Sequence, residues 1–285
     1  MTDIAIDDRL QFLLRLADSP LVLSHRLSEW AGHGPVLEED IALANIALDL
    51  LGQARLLYQH AATVANRNGT GRNAHHLGAG HGHDKSDGDL TEDSLAYFRD
   101  DAQFRNFTML ELPNSGVSSA SSGDGDYAFT IVRNTLYSAW SVLLWQALAA
   151  STDPQVAAIA AKSVKESRYH WRHASDWLVR LGDGTDESHQ RCQRALDSLL
   201  PYSNEWFLAD ALDLAAASAG LGIDPSTLRA PWLAMVQSLV EQATLTWPSD
   251  SRFHSAGKRG QHGEHLSYLL TQMQSLARAH PGAVW

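Results

Sequence analysis

Apolar residues recur at intervals of three and four along most of the chain, and this spacing predicts a succession of helices with no alternating strands. From Asp7 to Trp30 the positions Leu10, Leu13, Leu14, Leu21, Leu23, Leu27 and Trp30 keep that interval for the most part. Ser19-Pro20 is an expected break or kink, because proline lacks an N–H and crowds the preceding turn. A second helix is predicted from Leu37 to Ala65, with Glu38, Glu39 and Asp40 in its first turn, where the helix dipole favours acids. Its apolar face, Leu43, Ile46, Ala47, Leu50, Leu51, Ala54, Leu57 and Tyr58, is broad enough to pack on more than one side. A short helix is expected over Thr91 to Phe104 behind a Thr91 cap.

The third long helix, Tyr127 to Ala150, is apolar almost all round and contains no Asp or Glu. Asp153-Pro154 supplies an N-cap and a first-turn proline for the fourth, which Leu181-Gly182 closes. Helical spacing continues through Leu199, is disturbed at Pro201, resumes to about Ala219, and returns over Leu228 to Thr246 and Gly263 to Ala279. Four long helices of about 25 residues, each nearly 40 Å long, predict an all-α fold, a four-helix bundle core with additional C-terminal helices. Residues 1–285 read as one helical domain interrupted by a Gly-, Asn-, His- and Asp-rich segment at about 66–90 and a Ser-, Gly- and Asp-rich one at 113–126, which are expected as flexible loops.

Composition narrows the function. The formal charge of −11 argues against a nucleic-acid partner, and the single Cys192 excludes a disulfide framework and a thiolate-rich metal site. The acidic N-terminus lacks the positive start of a signal peptide, and no apolar run is seen that approaches a membrane span. No membrane association and a cytoplasmic location are therefore expected. No strand-linked phosphate loop and no serine nucleophile elbow is present.

Two polar stripes cross the apolar faces. Asn45, Asp49 and Gln53 recur every four residues in the second long helix, and Lys162, Glu166 and His170 do so in the fourth. An acid and an imidazole four apart project from one helix face and can reach one point. A di-iron carboxylate bundle takes a Glu from each of two helices and a Glu-x-x-His pair from each of the other two. Here the second helix offers Asp49 with Gln53 in place of imidazole, the fourth offers Glu166 and His170 with Ser167 in place of carboxylate, and the third offers nothing. His25 and Glu29 stand on the first, with Glu29 near its end. That donor set cannot fill the coordination of two irons, so Asp49, Gln53, Glu166 and His170 are expected to form a hydrogen-bonded polar core that fixes helix register.

Two further clusters carry candidate chemistry. His75, His76, His81 and His83 lie in the first loop segment, where a solvated insertion is the plainer reading than a metal site. Lys258, Arg259, His262 and His265 occupy the Gly-rich stretch before the last helix. They read first as a helix entry, second as a loop whose amides and basic side chains receive an anionic ligand or a partner's carboxylates.

Blocks spread over nearly the whole chain carry a family resemblance: Leu21–His33 (LVLSHRLSEWAGH), Leu43–Arg55 (LANIALDLLGQAR), Lys165–His170 (KESRYH), Trp177–Thr185 (WLVRLGDGT) and Gly257–Leu266 (GKRGQHGEHL). In order and approximate spacing they resemble the PaaC subunits of bacterial ring-1,2-phenylacetyl-CoA epoxidases. The two loop segments look longer than the family pattern. The resemblance implies a ferritin-like subunit, structural and without metal of its own, in a multicomponent monooxygenase of aerobic phenylacetate catabolism. It implies as partners a homologous di-iron catalytic subunit, a small accessory subunit, and a reductase carrying flavin and an iron–sulfur centre, with phenylacetyl-CoA as the substrate of the complex. His170 and Gln53 would then fall at the two histidine positions of a metal-bearing relative, and Ser167 and Leu50 where its glutamates belong. Two rival functions remain: a self-sufficient di-metal oxygenase using Asp49, Glu166, His170 and His25, and a module that presents Lys258 and Arg259 to coenzyme A phosphates.

Overall fold

The structure, a computed structural model, describes residues 5–68, 89–116, 125–280 and 283. The helices are α1 (Ile6–Ser28), α2 (Leu37–Arg67), α3 (Glu92–Tyr97), α4 (Thr108–Glu111), α5 (Tyr127–Leu148), α6 (Pro154–Gly182), α7 (Asp186–Leu199), α8 (Ala211–Ser218), α9 (Arg229–Gln242) and α10 (Glu264–Ala279). Single 3₁₀ segments run over Asp101–Gln103, Leu200–Phe207, Pro225–Leu228 and Gly257–Arg259. Among the described residues there is no strand, and Ala256 and Gln261 form one isolated antiparallel bridge.

The core is a ferritin-like four-helix bundle. α1 lies along α2 and α5 along α6, and the pairs meet through α2 and α6. The chain passes from the first pair to the second through α3 and α4, the one long crossover of that bundle type. α5 is the most enclosed helix, because α6, α7 and α9 all pack on it. This accounts for its all-round apolar character. Caps fix where the second pair begins. Asp126 accepts from the amides of Ala128 and Phe129 at 3.0 and 3.3 Å, and Asp153 from those of Gln155 and Val156 at 2.8 and 3.2 Å.

Several expectations need correction. α1 is not broken at Ser19-Pro20 but runs through it with Pro20 inside the helix. Neighbours hold this turn: the Ser19 hydroxyl accepts from the amide of Phe107, and the Asp18 carboxylate from that of Arg105. α3 stops at Tyr97 instead of Phe104. The Arg99 side chain turns inward, donates to Leu95 O at 2.5 Å and pairs with Asp18, which the helical course does not allow. α9 ends at Gln242 rather than Thr246, because Thr244 adopts φ 59° and closes onto the end of α6.

The first loop segment begins later than expected, since Asn66 and Arg67 are helical. The Asn66 amide then clamps both backbone groups of Leu90 at 2.9 Å. Most of both loop segments, with His75, His76, His81 and His83, lies outside the described residues. By length and a mean hydropathy of 1.2, α2 is apolar enough to cross a membrane, contrary to the reading of the sequence. In the bundle one face of it is buried and the other carries exposed Leu37, Ile41 and Leu48.

Candidate functional site

The two polar stripes face each other across the seam of α2 and α6. Gln53 Nε2 donates to Glu166 Oε2 at 3.0 Å, and His170 Nε2 meets Asp49 Oδ2 at 3.0 Å. As the numbers rise on one helix they fall on the other, so the helices are antiparallel and each four-residue step finds the matching step opposite. Lys162 approaches Glu166 at 3.4 Å from the exposed side. Gln53 and His170 are buried, whereas the side chains of Glu166 and Asp49 are 17% and 39% exposed. The pairs therefore span the edge of the seam, with their amide and imidazole inside and their carboxylates toward solvent. Such a half-wet pair contributes at most about 1 kcal/mol.

A third pair, missed in the sequence, continues the seam. Glu39 Oε2 accepts from Tyr127 Oη at 2.6 Å and from His173 Nε2 at 2.8 Å. Burial raises the Glu39 carboxyl, but the donors Tyr127 and His173 outweigh it and hold the group below its usual range. Spacing does not announce it: His173 stands three residues after His170, whereas Glu39 stands ten before Asp49, about 2.8 turns, so the two helices do not step alike here. As a first-turn acid Glu39 is already accounted for by the helix dipole.

Inside the seam lies the bundle centre, where a dinuclear metal site of this fold would sit. Leu23 of α1, Leu50 of α2, Asn134 and Ser138 of α5 and His170 of α6 surround a cavity of about 10 Å³, room for one water molecule at most. Ser167, one turn before His170, is buried and its hydroxyl finds no partner; neither end of the Asn134 amide finds one either. Set against Glu-x-x-His, the two helices present Leu50-x-x-Gln53 and Ser167-x-x-His170. Among the described residues no carboxylate lines this cavity, and no three His, Cys, Asp or Glu side chains converge on one point. A di-iron pair does not fit this donor set.

His25 and Glu29 do not complete it. Burial alone lowers the His25 imidazole to about 4, and its Nε2 is enclosed with no protein partner. Glu29 is held by Arg26 at 2.6 Å and by the Asn114 amide at 2.9 Å.

The Gly-rich stretch before α10 does not form the basic loop that the sequence allows. Lys258 is buried; its ammonium bonds Leu208 O and lies 2.7 Å from Asp213 Oδ2, beside Arg15, which pairs with Asp210 and Asp213. The free backbone amides expected there are already occupied by this chain's own carboxylates. Glu205 takes the amide of Lys258 at 2.7 Å and the hydroxyl of Ser255 at 2.6 Å, and Glu111 takes the amide of Gly263 at 2.8 Å. His262 lies between two acceptors, Glu111 Oε2 at 2.7 Å and Phe104 O at 3.0 Å, an arrangement that favours the doubly protonated ring. Burial opposes that charge, but Glu111 overrides it and the His262 pKa is raised. Lys258 and His262 thus anchor the stretch, whereas Arg259 is exposed and His265 half-buried.

Helices of this length in this order, paired α1 with α2 and α5 with α6, define a ferritin-like protein. The chain belongs to the phenylacetic acid catabolic protein family, whose model matches residues 1–285. It is 44% identical over 274 residues to the C subunit of 1,2-phenylacetyl-CoA epoxidase from Escherichia coli strain K12, a match covering 96% of this chain and 98% of that one.

Proposed function

We propose that the chain is a structural, non-catalytic subunit of a phenylacetyl-CoA 1,2-epoxidase and holds a homologous di-iron subunit in its working arrangement. The observation that supports this reading is the bundle centre, where Leu50 and Ser167 stand three residues before Gln53 and His170 and bring no carboxylate. In this reading the oxygen chemistry is done in the partner, which receives electrons from a flavin and iron–sulfur reductase. The pairs Asp49–His170 and Gln53–Glu166 serve register, since truncating either leaves a polar group at the seam unmatched.

The exposed side of α2 supports a helical partner. Leu37, Ile41 and Leu48 are 70, 53 and 64% exposed and fall on one narrow stripe. A Cβ built on Gly52, further along the same stripe, would meet nothing within 4 Å, so another helix can approach the backbone closely there. A stripe of this kind, on a helix whose other face is already packed, is the surface expected to meet a second bundle of the same family.

The test is co-purification of this chain with the di-iron catalytic subunit of its complex. Leu48→Arg is expected to leave the melting temperature of the lone chain unchanged and to reduce recovery of the complex at least about tenfold, the cost of burying one unpaired charge. Full recovery of the complex with Leu48→Arg would remove this face from the proposal. Failure of the unaltered chain to pair at all would remove the subunit reading.

A further inference from the structure

Away from the bundle centre, a cavity of about 370 Å³ opens between the 3₁₀ segment Leu200–Phe207, α9 and the connection that follows α9. Its volume is in the range of small-molecule sites. Two guanidinium groups reach it from different segments, Arg229 from the start of α9 and Arg252 from the connection, and His254 joins them. None of the three has a hydrogen-bond or ion-pair partner among the described residues, and all are exposed. Arg9, Arg15, Arg26, Arg99 and Arg278 are each held by a carboxylate, whereas Arg229 and Arg252, like Arg168, Arg194 and Arg259, are left without one among the described residues; what distinguishes these two is that they line one cavity. Asp250 is the one carboxylate in the lining among the described residues.

The cavity is built rather than incidental. Asn204 donates to the carbonyls of Ser251 and Phe253, both at 3.1 Å, so the residues on either side of Arg252 are pinned. The Phe253 ring also meets Tyr202 edge-on at 4.8 Å. Trp232, whose indole N–H is fixed on Leu136 O at 3.0 Å, and Phe207 are buried and close its floor, while the half-buried Trp247 keeps surface toward it. Unpaired guanidinium groups match phosphate oxygens in geometry and charge, and a partly exposed indole can receive a planar ring.

We propose that this groove binds the adenosine diphosphate group, with its phosphates between Arg229 and Arg252 and its base against Trp247. Free nucleotide and coenzyme A share that group. The coenzyme A source rests on the epoxidase-subunit reading, and the nucleotide source does not.

The experiment is calorimetric titration of the full chain with ADP, with coenzyme A and with inorganic phosphate, repeated on Arg229→Glu/Arg252→Glu. Both positions are exposed and unpaired, and an unchanged thermal melt of the double variant shows that its fold is kept. Binding of ADP or coenzyme A that weakens about tenfold or more in the double variant supports the site, and the tighter of the two names its source. Absence of binding by both, binding unaffected by the charge reversals, or equal affinity for inorganic phosphate overturns it. None of these results bears on pairing with the catalytic subunit, which the co-purification measures separately.

Discussion

Asp18→Ala is expected to be the most damaging single polar substitution in the chain, lowering the free energy of unfolding by about 3–5 kcal/mol. Asp18 and Arg99 are both fully enclosed, with no exposed side-chain surface on either. One carboxylate oxygen accepts from Tyr58 Oη and Arg99 Nη2; the other accepts from Arg99 Nη1 at 3.1 Å and from the amide of Arg105 at 2.7 Å. Removing the carboxylate strips four donors of their acceptor and leaves a guanidinium buried without countercharge. Its remaining partners, Leu95 O, Gln103 O, the Tyr58 hydroxyl and the Phe104 ring 4.2 Å away, are neutral. Equilibrium urea unfolding should show the drop as a lower midpoint at unchanged slope. Asp18→Ala combined with Arg99→Met should cost less than the two single losses together, because no unpaired charge then stays behind.

Gly182→Ala is expected to cost about 3 kcal/mol for a different reason, the absence of space. A Cβ at this position would lie 2.2 Å from Ala243 O, a backbone atom that cannot swing aside. The junction is also pinned by hydrogen bonds. Gly182 O accepts from the Thr244 hydroxyl at 3.1 Å and is met by His189 Nδ1 at 2.7 Å, while Thr244 itself takes a left-handed backbone conformation to make the turn. Inserting a methyl group must push α9 off the end of α6 and disturb both bonds. Gly52→Ala is the matching control. Its new Cβ meets nothing, and replacing a mid-helix glycine should raise the stability of the lone chain by about 0.5–1 kcal/mol.

The helices were legible because a 3.6-residue period survives any tertiary arrangement, and the caps at Asp153 and Thr91 were legible because they are local. What could not be read was the course of the chain where a long-range partner decides it. Pro20 looks like a break until Phe107 and Arg105 are seen to bond the turn before it, and Phe98 looks helical until Arg99 turns to reach Asp18, 81 residues away. Of the candidate site, the two i, i+4 stripes were visible as stripes, and their antiparallel pairing follows from matching steps of four. The bundle centre was only half visible. Leu50 and Ser167 could be compared with the ligand template, but Leu23 and Asn134 join the cavity through packing that no spacing records. Lys258 misled because a lysine among glycines reads as exposed, whereas Asp213 and Leu208 draw it inside.

Whether this chain contributes structure and leaves the oxygen chemistry to a partner is tested most directly by measuring iron per chain and phenylacetyl-CoA epoxidation. Each is measured with the unaltered protein and with His170→Ala, for the lone chain and for its complex with the catalytic partner. The prediction is substoichiometric iron and no turnover in the lone chain, and turnover per assembled complex that His170→Ala leaves within about twofold, since it removes only a register contact worth about 1 kcal/mol. Stoichiometric iron and turnover in the lone chain, both abolished by His170→Ala, would contradict it.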